Sequence, residues 1–390
     1  YFVARGVRGM RLAAVISAVL ISVAVAEEPS PQTVITPVLH TGDSAPGISD
    51  ATMIWMGAPL IDGAGNVLIW GFFVYEGESV AHSAIWYGGP GTLQAIAYEG
   101  MQAPDLPDGV VYDYVSGASR LSESGWIGIP AFLRGPGIAR SVNDLANFVG
   151  PPGDIRMVLR GGDQAPGLDP GTVIDVSRGF GLSAELSDNA TLCVFVHLSG
   201  PTVDETNDRA YWIGPRNDLQ LVWRKGMPAP GTESGVTFAW ADLVVFNDAG
   251  QIAMRAGLAG DSIDDSNDVG RWVGGPGQLA LVTRAGDPAP GFPPAITLAG
   301  AGGALTTLNT HGDTTESTVL QGPGITDDND RILYVGEPGN LQILAWEGDP
   351  VPEVGRKVEV ASFGNLLINN CREVFFQAQL RGPSIGGSNF

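Results

Sequence analysis

The chain has 390 residues and a formal net charge of −21, from 42 acidic and 21 basic residues. A surface this acidic repels nucleic acid and anionic lipid, so we expect neither as a partner. Apolar residues make up 44% of the chain, enough for a sizeable core. The only cysteines are Cys193 and Cys371, which excludes a disulfide framework.

The N-terminal residues have the pattern of a secretory signal. An apolar run follows Arg11 and ends in the tripeptide Ala24-Val25-Ala26, a small-x-small cleavage pattern. The run is too short for a spanning helix, so we expect no transmembrane segment in the mature chain. We therefore predict a signal peptide region over 1–26, a linker over 27–32, and export to the periplasm, the cell surface or the extracellular space.

One short phrase recurs through the rest of the chain and is clearest as Gly286-Asp287-Pro288-Ala289-Pro290-Gly291. A fixed period of this kind marks a repeat architecture. We predict a single repeat domain over 33–390, built from β units of about 60 residues. The leading glycines lie 58, 62, 64, 60 and 62 residues apart, at Gly42, Gly100, Gly162, Gly226, Gly286 and Gly348.

The fourth repeat predicts a meander of four antiparallel strands. A short apolar strand over 243–246 precedes Asn247-Asp248-Ala249-Gly250, whose residues favour a tight turn. An alternating strand follows over 251–258, then strand three over 271–273 and strand four over 279–284. An aromatic residue recurs at one position of strand three in five repeats, and we interpret it as core. These residues are Trp86, Phe148, Trp212, Trp272 and Tyr334.

The two ends of the array suggest ring closure. Residues 34–40 correspond to a fourth strand without its first three, and the last copy stops after its second strand. We therefore predict an all-β fold, a β-propeller of about six four-stranded blades with seven as the alternative count, closed by the N-terminal strand. An open array of β-sheet modules is the competing architecture. Because the last copy is incomplete, we also expect the natural C-terminus to lie beyond the given sequence.

The turn-centred motif resembles a family of exported bacterial tandem-repeat proteins with an N-x-x-G-x-x-A-F signature. The nearest match is the run from Asn247 to Met254, and the run from Asp62 to Ile69 is a looser one. The resemblance implies an exported, often surface-anchored repeat protein with no established activity. It brings no catalytic residues.

The loops between strands two and three are the strongest candidates for a binding site. In three repeats they carry oxygen side chains at alternating positions, which could converge on calcium. The alternative is that the Asn and Asp side chains cap the loop backbone. The candidate metal ligands are Asp204, Asp208, Asp264, Asp268, Asp327 and Asp330.

No motif predicts catalysis. The chain has no phosphate loop, zinc pattern or ordered Ser-His-Asp set, and the bases that end strand four, Arg160, Arg224 and Arg284, are expected in ion pairs. We predict a monomeric, secreted or surface-displayed binding or scaffold protein, with calcium as the only cofactor considered. Its acidic loop face would meet a cation, a glycan or a protein. A propeller-type hydrolase or lyase acting on extracellular glycans is the alternative.

Overall fold

A computed structural model describes residues 37–177, 182–300, 307–355, 357–383 and 385. The predicted signal region and linker lie outside these residues. The described residues fall into two compact units, those of Ser22–Trp223 (the N-unit) and those of Arg224–Phe390 (the C-unit). The single repeat domain over 33–390 stays a prediction.

Three sheets build the N-unit, and each is an antiparallel meander in chain order. Sheet one contains β1 (Ala51–Met56), β2 (Leu60–Ile61), β3 (Val67–Tyr75), β4 (His82–Gly88) and β5 (Gln94–Tyr98). Sheet two contains β6 (Val111–Val115), β7 (Arg120–Leu121), β8 (Ile127–Arg134), β9 (Leu145–Gly150) and β10 (Arg156–Arg160). Sheet three contains β11 (Val173–Asp175), β12 (Leu182–Leu186), β13 (Leu192–Ser199), β14 (Arg209–Gly214) and β15 (Gln220–Arg224).

The C-unit contains three further sheets. Sheet four consists of β16 (Thr237–Phe246), β17 (Ile252–Ala259), β18 (Val269–Gly274) and β19 (Ala280–Arg284). Sheet five consists of β20 (Thr297–Leu298), β21 (Thr307–Leu308), β22 (Thr314–Gln321), β23 (Arg331–Glu337) and β24 (Asn340–Trp346). Sheet six pairs β25 (Glu359–Ile368) with β26 (Val374–Arg381).

The all-β prediction and the four-strand meander are confirmed. In sheets one, two, three and five the first strand is split into two short segments that pair with the same second strand. Sheet four shows why our first-strand boundary was too late. Its β16 begins at Thr237, but the register shifts around Leu243, which has a φ of 48°. This bulge interrupts the alternating pattern, so only the residues after it read as a strand.

The turn predicted from Asn247 to Gly250 is present. The Gly250 amide donates to the Asn247 carbonyl, and the Asn247 side-chain oxygen accepts the amides of Ala249 and Gln251. Gly250 has a φ of 74°, a conformation that glycine adopts without the steric cost of a Cβ.

The recurrent aromatic residue links strand three to the linker that opens the same repeat. All five aromatic residues are fully buried, which confirms their core role. The indole nitrogens of Trp86, Trp212 and Trp272 donate to Pro46, Pro166 and Pro230 carbonyls at 2.9–3.0 Å. The Tyr334 hydroxyl does the same to Pro290 at 2.9 Å. The repeated proline and the repeated aromatic therefore form one buried contact, in which an aromatic side chain satisfies its polar atom.

The linker itself is a hairpin. In the fourth repeat the Gly226 amide donates to Phe238, and the Phe238 amide donates to Met227. Equivalent bonds recur in every copy, and the linker alanine or valine is buried each time. These observations support a structural role for the repeated phrase.

The predicted ring closure falls largely outside the described residues. Residues 37–40 belong to no strand, and 34–36 are not described. Within the described ranges, β25 and β26 form a two-stranded sheet without a third strand. Closure and blade number therefore stay predictions. In the part of the chain that the structure covers, no helix is long and apolar enough to cross a bilayer.

Candidate functional site

The acidic loops between strands two and three are organised by an asparagine. In the loop of sheet four the Asn267 side-chain oxygen accepts the Asp264 amide at 2.9 Å, and its nitrogen donates to the Ser262 carbonyl at 3.0 Å. The loops of sheets three and five repeat both bonds through Asn207 and Asn329. The hydrogen bonds therefore support the capping interpretation.

The predicted metal ligands do not gather in threes. Among the described residues no group of three or more His, Cys, Asp or Glu side chains could hold a metal ion. One oxygen of Asp264 accepts both the amide and the hydroxyl of Ser266, and these bonds lower the pKa of its carboxyl. Asp208 and Asp268 extend the backbone pairing between strands two and three. Their main-chain carbonyls accept the amides of Leu198 and Leu258. Calcium binding at these loops stays a prediction.

Two of the three arginines that end strand four form the predicted ion pairs. Arg160 pairs with Asp163 at 2.9 Å, and Arg284 pairs with Glu233 at 2.8 Å. Arg284 also donates to the Asn267 carbonyl at 3.0 Å, so it ties its strand to the acidic loop beside it. These contacts support a structural role.

A pocket of about 410 Å³ lies at the same loop end of sheet two, in the N-unit. Its volume falls within the range typical of small-molecule sites, about 300–1,000 Å³. Strands β6 and β8 and the loop 135–144 supply its wall, through Asp113, Tyr114, Phe132, Leu133, Arg134, Gly135, Ile138, Arg140 and Asp144.

A bulge in β6 positions the side chains that line the pocket on its strand side. The register between β6 and β8 shifts between Tyr112 and Tyr114, so Asp113 is the extra residue. Bulges of this kind redirect side chains next to sites. Tyr114 then pairs with Phe132, with ring centroids 6.4 Å apart. Phe132 is 36% exposed, and partial burial raises the pKa of the Tyr114 hydroxyl.

The loop side of the pocket begins at a glycine that cannot be replaced without strain. Gly135 has a φ of 134°, and an added Cβ would lie 2.2 Å from the Gly109 carbonyl oxygen. This close approach fixes where the loop leaves β8. At the other end Asp144 is buried and accepts the Ser141 amide at 2.8 Å.

The charges of the pocket are partly paired. Arg134 lies 3.2 Å from Asp113, and both side chains are more than half exposed. Within the described ranges, the guanidinium of Arg140 has no acidic partner at ion-pair distance and no hydrogen bond. The pocket thus combines an aromatic pair, an ion pair at its rim and an uncommitted cation.

The recurring acidic residues do not predict this pocket, because the pocket depends on a repeat that departs from the others. The loop of sheet two has ten residues, 135–144, and the loops of sheets three, four and five have nine. All four loops end in an Asn-Asp pair. Aligning them on that pair shows that the loop of sheet two has one more residue and contains a base, Arg140.

A second charged cluster lies between sheets four and five in the C-unit. Arg271 donates to Glu316 at 3.0 Å, and the Thr283 hydroxyl lies 2.7 Å from both carboxylate oxygens. Arg271 and Glu316 are nearly completely buried. Glu316 lies opposite Tyr334 in the sheet, where the other registers place Ile69, Ile129, Val194 and Met254.

The cluster extends across sheet four as a row of cross-strand neighbours. Asp242 lies opposite Arg255, which lies opposite Arg271. Two like charges side by side are unfavourable unless each has its own partner. Here Arg255 binds Asp242 at 2.8 Å, as Arg271 binds Glu316.

This buried cluster does not have room for a ligand. It borders a cavity of about 20 Å³, close to the 10–15 Å³ that a single water needs. Burial raises the pKa of the Glu316 carboxyl, and Arg271 and Thr283 offset part of that rise. We therefore assign the cluster to packing between the sheets and retain the pocket of sheet two as the candidate site.

Several solved structures are similar to the chain at low sequence identity. The polysaccharide lyase Uly1 is 12% identical with a TM-score of 0.32, and the match covers 77% of this chain and 61% of Uly1. The chain thus spans less than two thirds of that lyase. The β-propeller domain of the Trilobed protease from Pyrococcus furiosus is 9% identical with a TM-score of 0.31, covering 76% and 85%. An oligogalacturonate lyase in complex with manganese is 8% identical with a TM-score of 0.34, covering 84% and 77%.

No curated protein matches the chain. A family model does match, over residues 17–273 and again over 186–389, as expected for a repetitive sequence. Together the two matches span nearly all of the chain. The protein therefore belongs to DUF7453, a family of unknown function.

Proposed function

We propose that this protein is an exported β-propeller that binds a carbohydrate in the pocket of sheet two. The observation that carries the proposal is the partly exposed Tyr114–Phe132 pair beside the Arg134–Asp113 ion pair. A sugar has an apolar C–H face and a rim of hydroxyl groups. Aromatic rings stack on the first, and charged groups hydrogen-bond to the second.

The propeller part of the proposal is supported by the repeated meanders. Radial repetition of four-stranded sheets around one axis leaves only short sheet edges. Export is supported by the basic, apolar and small-residue pattern of residues 1–26. The acidic surface suits a soluble extracellular protein.

Binding is favoured over glycan cleavage because the carboxylates of the pocket already have partners. Asp113 lies in the ion pair with Arg134, and Asp144 accepts the Ser141 amide. Glycoside hydrolysis needs one carboxyl as a proton donor and another as a base or nucleophile. In this arrangement Asp113 and Asp144 make contacts that support the pocket wall, which favours a binding role.

An oligosaccharide array tests the proposal. The mature protein is applied to neutral and uronate-containing oligosaccharides, and hits are measured by calorimetry and by analysis for cleavage products. We expect binding without cleavage, weakened about two- to tenfold by Phe132→Ala, since an aromatic stacking contact is worth about 0.5–1.5 kcal/mol beyond area burial.

A matched control comes from sheet six. Phe375 is 38% exposed, as Phe132 is 36% exposed, but it lies in β26 of the C-unit. Phe375→Ala should leave binding unchanged. Loss of binding in both variants, or binding to no oligosaccharide, would refute the assignment of the pocket.

A further inference from the structure

The loop of sheet two carries a base at a position where the loops of sheets three, four and five, its sister loops, carry an acid. The amide that donates to the capping asparagine belongs to Ala139 in this loop, and to Asp204, Asp264 and Thr326 in the others. The residue after it is Arg140 here. The sister loops have Glu205, Asp265 and Asp327 at that position.

The extra residue of this loop changes the backbone path next to Arg140. Ser141 has a φ of 57°, and its amide donates to Asp144. The next residue, Val142, is 57% exposed. The loop thus keeps the asparagine cap of its sisters but takes a different path at Arg140, which lines the pocket.

Arg140 is also the cation of the pocket that is not already paired. Arg134 has Asp113 as its partner, whereas Arg140 has none within the described ranges. A guanidinium presents donors in a planar fork that matches a carboxylate in two parallel hydrogen bonds. The chain has a net charge of −21 and therefore repels anions in general. An anionic ligand needs a locally positive group, such as this guanidinium, to bind.

We propose that the pocket selects sugars that carry a carboxylate, and that Arg140 binds that carboxylate while Tyr114 and Phe132 contact the sugar ring. This inference rests on the proposed carbohydrate-binding function and specifies its ligand class. Arg140 is the specificity-determining residue, and the aromatic pair supplies affinity that does not depend on charge.

The experiment compares two ligands that share one sugar chain and differ in whether its carboxyl groups are ionised or methyl-esterified. Tetragalacturonate and its fully methyl-esterified form are titrated calorimetrically into the mature protein at one ionic strength. We expect the acid to bind at least about tenfold more tightly than the ester, because hydrogen bonds to charged groups are about twice as strong as neutral ones. Arg140→Glu, which introduces the charge of the sister loops, should abolish that preference.

Two controls keep the outcomes distinct. Asp265→Arg places the same side chain in the equivalent loop of sheet four and should not change binding. Oligoglutamate presents carboxylates without sugar rings and should bind more weakly than tetragalacturonate.

Equal affinity of acid and ester, with loss of both in Phe132→Ala, would overturn the inference and leave carbohydrate binding intact. Equal affinity for oligoglutamate, or an unchanged preference in Arg140→Glu, would also overturn the inference. Binding to no oligosaccharide on the array would overturn both proposals.

Discussion

The two charged regions of this protein differ in exposure and in pairing. Between sheets four and five, Arg271 and Glu316 are buried, and they pair with each other beside a cavity of only about 20 Å³. In the pocket of sheet two, Arg134 and Asp113 are exposed, and Arg140 has no partner within the described ranges. The same residue types therefore hold sheets together in one region and face a space of about 410 Å³ in the other. Charge indicates a binding site only where it is accessible and uncommitted.

The largest effect is expected from removing one member of the buried pair. Glu316→Ala leaves Arg271 buried without its carboxylate, and breaking a buried pair in this way costs about 3–5 kcal/mol. We expect a loss of that size in the free energy of unfolding, measured by urea denaturation. Arg271→Met combined with Glu316→Met should be far closer to wild type, because apolar residues of similar volume replace both charges. A double variant as unstable as the single one would show that the pair itself is needed.

A smaller loss of stability is expected at the loop cap of sheet four. Asn267→Ala removes two hydrogen bonds of an exposed loop, so unfolding free energy should fall by about 1 kcal/mol. Asp265→Ala on the same loop is the control and should stay within about 0.5 kcal/mol of wild type. Equal effects of the two substitutions would contradict the capping role. The same denaturation curves provide the measurement.

The pH dependence of stability sharpens the contrast between the regions. Burial raises the pKa of Glu316 in the folded state, so the folded protein binds that proton more tightly than the unfolded chain. Its contribution to stability is complete below the unfolded-state pKa of about 4.3 and is lost as pH rises through the folded-state value. Unfolding free energy of wild type should thus fall with pH, relative to the Arg271→Met and Glu316→Met double variant. Parallel curves for the two proteins would argue against a raised pKa at this site.

Calcium is expected to have the smallest effect. The acidic loops predict that millimolar calcium raises the melting temperature more than sodium chloride of equal ionic strength. Replacing Asp264 and Asp268 together by Asn should reduce this difference. Identical melting curves in the two salts would leave capping as the role of these loops.

Much of the fold could be predicted from the sequence because the repeats report the same physical constraints several times. The turn at Asn247 and the aromatic at Trp272 recur with the period of the linker, and each has a local cause that sequence reveals. The early part of β16 was missed because the bulge at Leu243 breaks the alternation on which the prediction depends.

The candidate site could not be predicted in the same way, since it lies where the repeats differ. Phe132 and Tyr114 are ordinary strand residues in sequence, and only the bulge at Asp113 brings the pair to the pocket wall. The pairing of Arg271 with Glu316 joins residues 45 positions apart on two sheets, which no local pattern records. Comparing the repeats with each other would nonetheless have identified Glu316 and Arg140 as exceptions.

Exchanging the loop of sheet two tests the central claim most directly. Residues 139–142 are replaced by the Asp-Asp-Ser of 264–266, which gives the loop the length and charge of its sister and retains Asn143 and Asp144. The loop is exposed and its cap is preserved, so the variant should melt as wild type does. We expect its affinity for tetragalacturonate to fall by at least about tenfold, since it loses a charge-assisted contact. Unchanged affinity in a folded variant would contradict the assignment of this loop as the ligand-selecting element.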